Sequence, residues 1–122
     1  KDRGIAADGG LAQYTRLPLG ACLPLPENVS AAQAGAMGVP LVTAACAIDK
    51  LQIRSSETVA VTGANGQVGR FILSIAKLRG ARTVGIVRRD VDVPYADIVV
   101  NAGDGDLAQR LQTSVGSIDA AV

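Results

Sequence analysis

An α/β fold built on a doubly wound parallel sheet is what this sequence predicts, and three observations carry that prediction. From Thr58 onward, short β-branched runs alternate with helical stretches, the pattern of strand–crossover–strand units. A glycine-rich turn stands between the first such run and the first such helix. The 122 residues hold one Phe, two Tyr and no Trp, so the core must be built from Ala, Val, Leu and Ile, which suits close packing of helix on sheet.

The elements follow in order. After Gly9-Gly10, the segment Leu11 to Pro18 alternates apolar and polar residues and predicts a strand over 9–18. Residues 21–26 are expected to be extended, because Pro24 and Pro26 hold the chain away from helix. Ser30 with Gln33 has the capping-box spacing, which predicts a helix from Ala31 to about Met37, ending near Gly38. Val39-Pro40 opens a second helical stretch through Leu51, with Val42, Ala45, Cys46 and Ile48 at near-helical spacing. The polar turn 54–57 leads into Thr58-Val59-Ala60-Val61-Thr62, a buried parallel strand bounded by Gly63. A helix over 67–78 is stopped by Gly80. Strands follow at 83–87 and 96–100, then a short helix at 107–113 and a fourth strand at 118–122. There is no internal repeat and no low-complexity tract.

Composition bounds the function. At 48% hydrophobic and 19% charged residues the chain is ordinary for one small globular domain. A net charge of +1 supplies no general basic field, so neither nucleic acid nor an anionic membrane is an expected partner. The scarcity of aromatic residues argues against a stacking surface for single strands. No apolar run is long enough to span a bilayer and no signal-peptide pattern opens the chain. The absence of His removes His-based triads and the usual His-containing zinc sites, so no metal is expected. Cys22 and Cys46 show no metal-like or redox spacing; they read as small buried apolar residues of a protein in a reducing compartment, the cytoplasm. The chain starts at Lys1 and stops within an apolar run, as a piece of a longer polypeptide would.

The motif with chemical content is Gly63-Ala64-Asn65-Gly66-Gln67-Val68-Gly69. Gly63 and Ala64 permit a tight strand-to-helix turn, Gly66 lets backbone approach a pyrophosphate, and Gly69 lets the helix lie close on the strand. The N–H groups of Gln67 and Val68 would then stand at a helix N-terminus, where unpaired donors and the helix dipole favour an anion. The plainer reading is a strand–turn–helix connection without a ligand. About 20 residues beyond such a loop, a Rossmann-type NAD site carries an acid for the ribose hydroxyls. That place holds Arg88 and Arg89, whose guanidinium groups would pair with a 2′-phosphate and so point to NADPH. Two solvated surface arginines are the plainer reading, and Asp90, next in the chain, weighs against NADPH.

With these residues in place, the chain resembles the medium-chain dehydrogenase/reductase superfamily, most of all its zinc-independent quinone oxidoreductase-like branch. Asp8-Gly9-Gly10-Leu11-Ala12-Gln13-Tyr14 is similar to the strand entering the last part of that family's GroES-like catalytic domain. Leu25-Pro26-Glu27-Asn28-Val29-Ser30 is similar to its helix start, and the stretch from Ala36 to Ala44 to its block ending in Thr-Ala. The stretch from Glu57 to Ala64 resembles its strand and glycine turn. These blocks keep the family's order and cover positions 8–89 almost continuously. The resemblance implies a remnant of the GroES-like domain at 1–26 and a partial Rossmann domain at 27–122. It also implies an NADPH-dependent reductase passing hydride to a small-molecule acceptor: a quinone, an enone or another activated C=C, or an enoyl thioester. Thr43 maps to the threonine beside the nicotinamide, although a helix residue bonding its own backbone would look the same. Asn65, Gly66, Gln67 and Val68 map to the pyrophosphate loop, and Arg88 with Arg89 to the 2′-phosphate.

Three departures stand out. Ala45 occupies a place where the family has a larger residue. The segment 90–95 is too short for the usual helix between the second and third strands and can form only a loop or a single turn. The family's substrate-side residues have no positions here to receive them, so no catalytic residue is assigned and the isolated chain is expected to be inactive. A short-chain dehydrogenase fits less well: Tyr14 and Tyr95 are followed four residues on by Pro18 and Val99, not by the lysine that family needs. A non-catalytic nucleotide-binding module remains as the reading from a different class. A homo-oligomer is compatible with the sequence.

Overall fold

The computed structural model describes residues 7–122. Its elements are a short 3-10 turn at Leu19–Ala21, then α1 (Ala31–Leu51), β1 (Thr58–Thr62), α2 (Gln67–Leu78), β2 (Arg82–Val87), β3 (Ile98–Asn101), α3 (Leu107–Ser114) and β4 (Ala120–Ala121). Two compact units divide between Ala34 and Gly35, inside α1.

In the first unit the strand expected at 9–18 does not form. A strand exists only when its backbone groups are paired with a neighbour. Apart from an isolated bridge at Ala7, no described residue before Ala31 pairs in a sheet, and Leu11 and Tyr14 are exposed. The 3-10 turn closes locally, with Ala21 N–H donating to the Pro18 carbonyl at 2.9 Å. The capping box forms as expected: Ser30 N–H donates to Gln33 Oε1 at 2.8 Å and Gln33 N–H to Ser30 Oγ at 3.2 Å.

The two helical stretches expected on either side of Gly38 are one continuous helix, α1, with Pro40 inside it. Proline's fixed φ is itself helical; its cost is the lost N–H and crowding of the preceding turn. Continuity also changes the membrane comparison. By length and composition alone, the 21 residues of α1 (mean hydropathy 1.5 over the most apolar window) could cross a bilayer, contrary to the sequence expectation. Ala44 and Ile48 of α1 instead sit wholly buried in the sheet core.

The sheet is four-stranded, in the order β3-β2-β1-β4, and every pairing is parallel. β1 and β2 run in register from Thr58 opposite Arg82 to Thr62 opposite Ile86. Pairing of β1 with β4 continues past the regular strand, with Thr62 N–H donating to the Val122 carbonyl at 2.7 Å. Side chains of β1 alternate between two cores. Val59 and Val61 face Ala44, Ile48, Ile72, Leu73 and Ala76 of α1 and α2. Ala60 joins Val84, Ile86, Val100 and Val115 on the opposite face, where α3 covers the sheet through Leu107 and Leu111. Helices on both faces of a parallel sheet make the fold doubly wound, as expected.

The connection from β2 to β3 holds no helix, again as expected from its length. Val93 takes most of the covering role, with the partly buried Ala96 beside it. Val93 is buried, and a Cβ on Gly85 would meet its Cγ1 at 3.2 Å and the Ala64 Cβ at 3.1 Å. The loop is tied down where it rejoins the sheet. The Thr83 hydroxyl lies 2.6 Å from the Tyr95 carbonyl oxygen and 2.8 Å from the Asp97 carboxylate.

Candidate functional site

The chain reverses its winding direction at β1: β2 and β3 lie on one side and β4 on the other. In open parallel sheets this switch point opens a crevice at the C-terminal strand ends, where ligands bind. The glycine loop follows β1 and therefore lies at that end of the sheet. Gly63 turns with φ +59°, a left-handed conformation glycine adopts at no steric cost. Gly66 caps α2 with no side-chain hydrogen bond. Gly69 permits the tightest approach: a Cβ there would stand 2.5 Å from the Gly63 carbonyl oxygen and 2.9 Å from the Ala64 Cα. Ala64 is fully buried beneath the turn.

The electrostatics follow from this backbone. Gly66 N–H is used internally, donating to the Gly63 carbonyl at 2.8 Å, and the first helical bond of α2 is Arg70 N–H to the Gly66 carbonyl at 3.0 Å. The N–H groups of Gln67, Val68 and Gly69 have no protein acceptor among the described residues. No acidic side chain stands in the first turn of α2 to occupy them. Unpaired donors at the positive end of a helix dipole favour an anion. Asn65 and Gly66 are exposed above them.

Arg88 and Arg89 leave the C-terminal end of β2, the strand next to β1, so they and the loop share one end of the sheet. The backbone pairing continues into the loop, with Ala64 N–H donating to the Ile86 carbonyl at 3.3 Å. Both arginines are exposed, and neither makes an ion pair among the described residues. Asp90, the residue that weighs against a 2′-phosphate, accepts a hydrogen bond from Asn101 Nδ2 at 3.0 Å. It also lines a cleft of about 460 Å³ with Val91, Asp92, Val99, Asn101 and Arg110.

Thr43 lies exposed on α1, its hydroxyl donating to the Val39 carbonyl at 2.9 Å. Two further contacts were not singled out in the sequence. Gln67 Nε2 donates to the Ala36 carbonyl of α1 at 2.8 Å, and Arg79 bonds both the Ile48 carbonyl and the Asp49 carboxylate near the end of α1. The first follows from a helix that runs unbroken through Pro40, which the sequence signals divide: a proline inside a helix leaves the carbonyl one turn earlier without its donor. Cys22 and Cys46, expected to be buried, are both exposed free thiols. Cys46 lies on α1 away from the Ala44–Ile48 seam, and Cys22 follows the 3-10 turn with no sheet to cover it. Among the described residues, no cluster of His, Cys, Asp or Glu could hold a metal ion.

Comparison with known proteins shows what the chain is similar to. The chain is 30% identical to quinone oxidoreductase of Mus musculus over 93% of its own length and 36% of that protein. It is 33% identical to acryloyl-coenzyme A reductase of Metallosphaera sedula over 76% of its length and 29% of that protein. The quinone oxidoreductase of Thermus thermophilus, solved also in complex with NADPH, superposes with a TM-score of 0.81 at 30% identity, covering 93% of this chain and 38% of that one. These relatives and structural neighbours are oxidoreductases of the medium-chain dehydrogenase/reductase superfamily, the family whose motifs the sequence resembles. An NAD-dependent alcohol dehydrogenase of known structure matches the chain equally, with a TM-score of 0.81 at 30% identity over 90% of this chain and 34% of that one. The chain spans about a third of the length of these relatives. No protein-family model matches it.

Proposed function

We propose that this chain is the cofactor-holding part of an NADPH-dependent reductase. The observation that carries the reading is the row of unpaired N–H groups on Gln67, Val68 and Gly69, at the same end of the sheet as two arginines that no carboxylate of the described residues neutralises. The residues fit the cofactor. The loop Gly63, Ala64, Asn65, Gly66, Gln67, Val68 and Gly69 would take the pyrophosphate on its free donors. Arg88 and Arg89 would pair with the 2′-phosphate through charge-assisted hydrogen bonds. Thr43 would orient the nicotinamide end. When bound, the reduced nicotinamide supplies a hydride; the chain's own part is binding and orientation.

The acceptor in this reading is a quinone or an activated C=C. The quinone oxidoreductase relatives support the first, and the acryloyl-coenzyme A reductase supports an enoyl thioester as the second reading. Residues 1–26 would then belong to the GroES-like catalytic domain and 27–122 to the Rossmann domain. The two free thiols fit a reducing compartment such as the cytoplasm.

The test is Gly66→Val. Gly66 has φ −76°, which valine tolerates, but its Cβ would stand 3.1 Å from the Gly63 carbonyl oxygen and its methyl groups would reach into the anion site. Folding should survive by circular dichroism while NADPH affinity, followed by nucleotide fluorescence, falls at least about tenfold, the scale of one or two charge-assisted hydrogen bonds. Unchanged affinity in a folded variant removes Gly66 from the cradle.

A further inference from the structure

A proline in the middle of a helix orphans the carbonyl four residues earlier. In α1 that proline is Pro40 and that carbonyl belongs to Ala36. The donor that replaces the missing N–H comes from outside the helix: Gln67 Nε2, at 2.8 Å. Gln67 is also the first residue of α2, with its own backbone N–H in the anion site. One residue therefore touches the cofactor cradle with its main chain and α1 with its side chain.

The rest of the contact explains why this matters. Only Ala44 and Ile48 of α1 are fully buried. They lie one turn apart in the C-terminal half, where Arg79 adds its bonds to the Ile48 carbonyl and the Asp49 carboxylate. Toward the N-terminal side of this anchor, the polar tie between α1 and α2 is the Gln67 bond. Ala36 and Thr43 are about two turns apart on one helical face, at about 3.6 residues per turn. The tie at Ala36 thus sets the height and rotation of the face that carries Thr43, relative to the loop that Gln67 itself belongs to.

We propose that Gln67 is a positioning residue: its side chain couples the proline-interrupted turn of α1 to the phosphate loop, and so holds Thr43 at the distance from the cradle that a whole dinucleotide needs. The coupling rests on the reading of the loop as a dinucleotide site. It makes no contact with the nicotinamide and forms no bond in the reaction.

The test compares two probes on the 122-residue chain. NADPH spans both the loop and α1; 2′-phospho-ADP-ribose, which lacks the nicotinamide ring, uses the loop and the arginines alone. Wild type is expected to prefer NADPH. In Gln67→Ala the affinity for 2′-phospho-ADP-ribose should stay within about twofold, while NADPH should weaken by about threefold to tenfold, the scale of one neutral hydrogen bond. Gln67→Lys, which restores a donor of sufficient reach, should recover the ratio between the two probes. A Gln67→Ala variant that melts as wild type yet weakens both probes equally, or neither, overturns the coupling, as does a wild type that does not distinguish them. A wild type that binds neither probe overturns the dinucleotide reading itself. Thermal melting of each variant separates a loss of fold, which would weaken both probes together, from a loss of position.

Discussion

Asp97 sits where the shortened β2–β3 connection rejoins the sheet, and its carboxylate is met from three sides. Lys77 Nζ of α2 stands at 2.7 Å, the Thr83 N–H donates at 2.9 Å and the Thr83 hydroxyl lies at 2.8 Å. The Lys77 hydrogen bond first, and the Thr83 N–H after it, hold the carboxyl at about 2, below the ordinary value of 3.8. A group whose pKa is depressed by folding adds stability above its unfolded value and loses it as protons bind. The stabilisation from Asp97 should therefore be complete above about pH 4 and fade as the pH falls toward about 2. Both partners are partly exposed, so the increment is screened and modest. Urea unfolding of wild type and Asp97→Asn at several pH values in that window checks it. The difference between them should shrink with acidification; a constant difference would mean that Asp97 acts only as a hydrogen-bond acceptor. At this scale the sequence was partly legible. Gly63 and Gly69 could be assigned their duties from spacing alone, because strand–turn–helix geometry leaves few alternatives. Gln67 could be placed by its main chain but not by its side chain. Its partner is a carbonyl 31 positions away that is orphaned only if α1 runs unbroken through Pro40.

Elements fared differently according to what holds them. β1, α2 and β2 were legible almost residue by residue, since β-branched runs and the apolar face of α2 meet inside one core. Sequence signals divide α1 in two, because Gly38 and Pro40 are ordinary stop signals; the helix continues through them, and the Ala36 carbonyl that Pro40 leaves without a donor is met by Gln67 from outside. The strand expected at 9–18 fails for the opposite reason: alternation is a statement about a face, and no described neighbour supplies a sheet for it to face. The β2–β3 loop shows how little cover a strand can accept. Val93 is 4% exposed and replaces a helix as the lid over Gly85 and Ala64. Val93→Ala should cost about 1.5–2.5 kcal/mol, the transfer of two methyl groups plus part of a cavity. Chemical unfolding would measure it. A loss under about 0.5 kcal/mol, the level of an ordinary surface change, would show that the loop is not part of the core.

For the molecule as a whole, the glycine loop and the arginines gather at one sheet end because β1 and β2 are adjacent parallel strands, and parallel strands bring successive C-terminal loops together. This convergence was legible in the sequence as soon as strands and helices alternated. The substrate side was not, in a chain covering about a third of its relatives. The cofactor is the point on which those relatives divide, since one neighbour was solved with NADPH and another is described as NAD-dependent. The proposal for this chain turns on Arg88 and Arg89 lying free of ion pairs among the described residues while Asp90 is held by Asn101. The most direct measurement is calorimetric titration of the chain with NADPH and with NADH, repeated for the double variant Arg88→Ala, Arg89→Ala. Hydrogen bonds to charged groups are worth about 1.5–3 kcal/mol each. Wild type should therefore favour NADPH by at least about tenfold, and the double variant should lose that preference while keeping its affinity for NADH. A wild type that binds the two nucleotides equally, or a preference that survives loss of both arginines, would contradict the assignment.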